Sequence, residues 1–90
     1  HYVLYQCDPK IKAVIHIHSQ PMWEQLCGAV PTTGADIPYG TPAMAHEMRR
    51  LFEESDVRTQ KIIAMAGHPE GIITFGESLE EAFLTLFKSR

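Results

Sequence analysis

Ninety residues carrying a net charge of −3 allow one small domain and argue against a basic nucleic-acid or anionic-membrane surface. Apolar residues at 44% and charged residues at 21% mark a globular chain, and no apolar run nears the roughly 20 residues of a membrane span. Two cysteines, Cys7 and Cys27, are too few for a disulfide scaffold and fit a reducing, cytoplasmic compartment.

A chain this short buries only about 60% of its unfolded surface. A metal, a subunit interface or a further stretch of chain is therefore expected to complete the fold. Position 1 is His rather than Met, no signal-peptide pattern is visible, and Tyr2-Val3-Leu4-Tyr5 already reads as the middle of an amphipathic element. The chain thus reads as the C-terminal part of something longer.

Val3, Leu4 and Cys7 have helical spacing, and Asp8-Pro9-Lys10 stops that helix. The β-branched run from Ala13 to His18 predicts a buried strand. Gln20 to Cys27 reads as a short helix with Met22, Trp23 and Leu26 on its apolar face, ended by Gly28. Ala29 to Gly40, rich in Pro, Gly and Thr, reads as a loop.

Thr41-Pro42 opens a helix, with Thr as N-cap and Pro at the first helical position. Its stripe is Met44, Met48, Leu51 and Phe52, and it ends near Ser55-Asp56. Two further strands are expected at 61–66 and 72–75, the first followed by Gly67-His68-Pro69-Glu70-Gly71. In the last helix Ser78 and Glu81 have capping-box spacing, and Leu79, Ala82, Phe83, Leu86 and Phe87 are expected on the buried face. The order α-β-α-α-β-β-α predicts a single α/β domain spanning 1–90, with helices packed on a sheet.

The informative residues are His16 and His18. Side chains two apart on a strand leave the same face, so both imidazoles point one way while Ala13, Ile15 and Ile17 point into a core. Two neutral imidazoles this close suit one divalent metal; the bland alternative is two polar residues on a solvated face. If strands 13–18 and 61–66 are neighbours, the glycine-bounded turn brings His68 beside the pair. Three histidines with an open position match a catalytic zinc arrangement rather than a closed structural one. His46 reads as exposed on its helix, and His1 is terminal. Glu70 is the only carboxylate that the sequence sets next to an expected ligand, as acid/base group, outer-shell partner or exposed turn residue. Cys7 and Cys27 lack a local nucleophile signature and read as core residues.

Ala13-Val14-Ile15-His16-Ile17-His18-Ser19 resembles the histidine-bearing strand of the class II aldolase/adducin family. The resemblance continues in Ile37-Pro38-Tyr39-Gly40-Thr41-Pro42, in Gly67-His68 with Gly71-Ile72-Ile73, and in Phe75-Gly76-Glu77-Ser78-Leu79-Glu80-Glu81-Ala82. It covers most of the chain, in order. It implies the C-terminal part of a three-layer α/β/α sandwich, with zinc or another divalent ion held by His16, His18 and His68. It further implies a lyase or epimerase acting on a small phosphorylated sugar, in a homo-oligomer. Two departures stand out: His68-Pro69-Glu70-Gly71 has two residues more than the family's usual His-Gly, and the half that carries the family's acid/base carboxylate and phosphate loops is not in this sequence. A non-catalytic interaction module, as in the adducin branch, or a small metal-binding remnant is the alternative.

Overall fold

A computed structural model describes residues 2–38 and 40–88; His1, Tyr39, Ser89 and Arg90, among them one residue of the Ile37–Pro42 match, lie outside the described residues. The elements are α1 (Tyr2–Cys7), β1 (Ala13–His18), α2 (Gln20–Leu26), β2 (Thr32–Thr33), α3 (Pro42–Glu54), α4 (Val57–Gln60), β3 (Ile62–Met65), β4 (Gly71–Gly76) and α5 (Leu79–Lys88). Together they make a mixed α/β fold around one four-stranded sheet of order β1-β4-β3-β2. β4 is antiparallel to both neighbours, and β2 lies parallel to β3.

Strand β4 is buried along its whole length, so both of its faces need cover. Antiparallel partners share a face, and the register gives one face Val14 with Phe75 and His16 with Ile73, the other Ile15 with Thr74 and Ile17 with Ile72. Ile73 and Phe75 join Leu4 of α1 and Met44, Met48 and Phe52 of α3 in the larger apolar cluster. Ile72 joins Ile62, Ala64 and Leu26 in a smaller one, against which Trp23 packs. Trp23 fastens α2 to the sheet by donating its indole N–H to the carbonyl of Met65 at 2.9 Å. Burying an indole is favourable only when that N–H finds an acceptor.

Helix α3 begins as the sequence predicts, with Thr41 Oγ1 accepting the Met44 N–H. On its inner face Glu47 is buried; it takes the Gly34 N–H at 2.7 Å and the Arg50 guanidinium at 2.7 and 2.9 Å. The Arg50 hydrogen bonds hold its carboxyl below the usual carboxylate range. This clamp fixes the 34–38 loop against α3. The loop in turn backs the turn after β3, because a side chain at Gly67 would run into the Ile37 carbonyl.

Three expectations are corrected. The 13–18 and 61–66 strands are not neighbours: β4 folds back from β3 and lies between them. The 29–40 segment contains β2, two residues long, fixed by pairing with Ala64 and Met65, and α4 adds a four-residue helix before β3. Both are too short to leave a periodic pattern. Helix α5 is rotated from the expected face. Ala82 alone is buried, whereas Leu79 (65%), Phe83 (49%) and Phe87 (49%) are substantially exposed. The reason is the helix anchor: Thr74 Oγ1 donates to the Ala82 carbonyl at 2.9 Å, drawing the small-residue side onto the sheet. Among the described residues no helix is long and apolar enough to cross a membrane.

Candidate metal centre

His16 and His18 stand on one face of β1, opposite Ile73 and Gly71 of β4. His68 reaches them from the turn that joins β3 to β4. In that turn the His68 N–H bonds the Met65 carbonyl at 3.1 Å, and the Gly71 N–H returns to the His68 carbonyl at 2.9 Å. Glu70 holds a left-handed φ of 66°, and its carbonyl accepts the Ser19 N–H at 2.9 Å. A non-glycine residue with that φ is kept there only when its surroundings over-determine it. Here the Ser19 contact bolts the end of the His18 strand to the turn that carries His68.

Ring centroids lie 5.1 Å apart for His16–His18, 5.4 Å for His16–His68 and 4.8 Å for His18–His68. One nitrogen from each ring falls within 4.8 Å of the others, the only such grouping of three or more His, Cys, Asp or Glu among the described residues. His16 and His68 are half-buried and His18 is exposed, so the cluster has a covered side and an open one. The turn reaches the pair although β3 is not β1's neighbour, since it delivers the chain into Gly71, the strand partner of His18.

Burial lowers the pKa of His16 below its ordinary 6.5, with the neighbouring His18 and His68 adding to the effect. Burial and then His18 lower that of His68. Neutral imidazoles carry the lone pair a metal needs, so this donor set fits a divalent ion such as zinc. The same shifts set a pH dependence. A histidine whose folded pKa is depressed takes its proton more readily in the unfolded chain, so stability is complete above about 6.5 and falls as the pH drops below it. The urea midpoint of metal-free protein is expected to be level from pH 8 to about 6.5 and to decline from there, and His16→Ala is expected to shrink the decline. The carboxylates Glu47 and Glu81 are held low, so their losses begin only below the ordinary 4.5.

Glu70 lies in the same turn, half-buried, but its carboxylate is not in the nitrogen cluster. His46 is exposed on α3, as expected. Cys7 and Cys27 are partly buried against the two apolar clusters, and burial pushes both thiols up, away from reactive thiolate. In the sequence Ser19 and Gly71 stand only among the residues that carry the family resemblance, with no role of their own at the site. A serine directly after the histidine strand and a glycine opening the next strand were the available signals.

No family model matches the chain, and no solved structure matches it. Among curated proteins it is similar to gamma-adducin of Homo sapiens, 29% identical over 99 residues, which cover 97% of this chain. The gamma-adducins of Rattus norvegicus and Mus musculus are each 29% identical over 96 residues, again covering 97% of it. The chain spans 14% of the length of these relatives.

Proposed function

We propose that this chain is the metal-holding, C-terminal part of a class II aldolase/adducin-type domain, with His16, His18 and His68 as ligands of zinc or another divalent ion. The observation that carries the reading is the convergence of three imidazole nitrogens within 4.8 Å from two segments far apart in sequence. Similarity to gamma-adducin along 97% of the chain supports the family assignment. Helices against both faces of the sheet support a three-layer α/β/α arrangement, with residues 1–90 as one domain.

When bound, such an ion supplies Lewis-acid polarisation of a carbonyl or enediolate oxygen, the chemistry of a lyase or epimerase on a small phosphorylated sugar. The chain's own residues divide the remaining work. The three imidazoles present lone pairs on one side of the sheet, and exposed His18 keeps that side open to a ligand. Glu70 is the candidate acid/base group, two residues after His68 in the same turn. No phosphate-cradling loop is visible in the sequence, and a positioned acid/base group accounts for about 10²–10⁴ in rate.

The expected result is therefore one zinc per chain in equilibrium dialysis, with feeble or no cleavage across a panel of ketose phosphates. Glu70→Gln is expected to remove any residual turnover and leave the zinc content unchanged. A chain that takes up no zinc ends the metal reading. Robust, His16-dependent cleavage ends the view that this chain is an incomplete site.

The second reading, a non-catalytic interaction module, is favoured by the apolar stripe Leu79, Phe83 and Phe87 on the outside of α5. The same stripe supports self-association into a homo-oligomer. Two cysteines, too few for a disulfide scaffold, support a cytoplasmic setting.

A further inference from the structure

We propose that Gly71 is a positioning residue for His68, whose ring fills the cross-strand place that any side chain at position 71 would take. The metal-centre reading enters only through one of the measurements used to test it.

Residue 71 is the antiparallel partner of His18, as Ile73 is of His16. Partners on such a pair project to the same face, so a side chain at 71 would stand beside the His18 imidazole, on the histidine side of the sheet. That place is taken. A Cβ built on Gly71 collides with Cδ2 of the His68 ring, and it also meets the Met65 methyl at 2.9 Å and the His68 carbonyl at 3.0 Å. The ring and a side chain at 71 are therefore alternatives for one volume.

The main chain on either side cannot give way cheaply. Position 71 opens a strand that is buried throughout. The turn before it is bonded to Met65 through the His68 N–H and to Ser19 through the Glu70 carbonyl, and Gly67 lies against the Ile37 carbonyl. With both backbones held, the clash is relieved by turning the imidazole about its side-chain bonds, so a methyl group at 71 swings it away from His16 and His18. The other end of β4 supplies the contrast. A Cβ at Gly76 also collides, but with the side chain of Glu81 and far from any histidine.

The test compares Gly71→Ala with Gly76→Ala. In metal-free protein, ring-proton NOEs between His68 and His18 are expected to be lost in Gly71→Ala and kept in Gly76→Ala. Cobalt(II) affinity, measured against a competing chelator, is expected to fall about 10–100-fold in Gly71→Ala, the range typical of groups that orient a metal ligand. The d–d spectrum of the bound cobalt should change with it, and Gly76→Ala should match the parent in both. A double-mutant cycle covers poor folding of the first variant: most of the stability lost to Gly71→Ala should return when His68→Ala removes the competing ring. NOEs that survive in Gly71→Ala, equal losses in both glycine variants, or a destabilisation that persists without the His68 ring would each overturn the proposal. If the parent protein takes up no cobalt, the metal reading fails, while the NOEs and the cycle still decide the role of Gly71.

Discussion

His16→Ala is expected to lower zinc affinity by far more than the about 10–100-fold that loss of an orienting neighbour costs, because it removes one of only three clustered donors. The clearest measurement is stability rather than turnover. An ion that binds only the folded chain at a hundred times its Kd raises stability by about 2.7 kcal/mol. Zinc should therefore shift the urea midpoint of the parent protein upward and leave that of His16→Ala almost unmoved. His18→Ala and His68→Ala should behave alike, whereas His46→Ala, on the exposed side of α3, should keep the full zinc increment. An increment that survives loss of any clustered histidine would show that the ion binds elsewhere.

Phe75→Ala is expected to bring the domain close to unfolding. The ring is buried in the larger cluster, 5.6 Å from the Phe52 centroid, on the central strand. Truncating such a residue costs about 3–5 kcal/mol, against a total stability of about 0.05–0.15 kcal/mol per residue for a folded chain. Phe83→Ala, the same chemical change on the exposed side of α5, should cost well under half as much, since surface substitutions mostly stay within about 0.5 kcal/mol. Urea midpoints for the pair test both the core and the orientation of α5. Comparable losses would mean that Phe83 is covered in solution.

The sequence was most legible where local rules and tertiary packing agree. The β-branched run from Ala13 to His18 forms β1 with those limits, and Thr41-Pro42 opens α3 through the expected cap. The capping spacing in 78–81 is half right: Ser78 Oγ accepts the Glu81 N–H, but the Glu81 carboxylate reaches the N–H of Glu77 rather than that of Ser78. Helical periodicity misled at α5, whose apolar residues are plentiful enough to define more than one face. The choice fell to a hydrogen bond from Thr74, eight residues before Ala82 on a different element and therefore invisible to helical periodicity. The two-residue spacing of His16 and His18 was readable because a strand fixes it. The arrival of His68 was reasoned through the wrong strand pair, and it holds because Gly71 rather than β3 lies opposite His18.

The pairing of β1 with β4 also has a kinetic side. Over half the chain lies between His18 and His68, and that whole length must be drawn into a closed loop before the two segments meet. In the unfolded ensemble the third imidazole is remote from the first two, so the full donor set exists only after the sheet has closed. An ion gripping all three would therefore act late, on the finished molecule. Interactions absent from the folding transition state slow unfolding without hastening folding. Such a site works as a clasp on a long loop of the chain, lengthening the lifetime of the native state rather than helping the chain to find it.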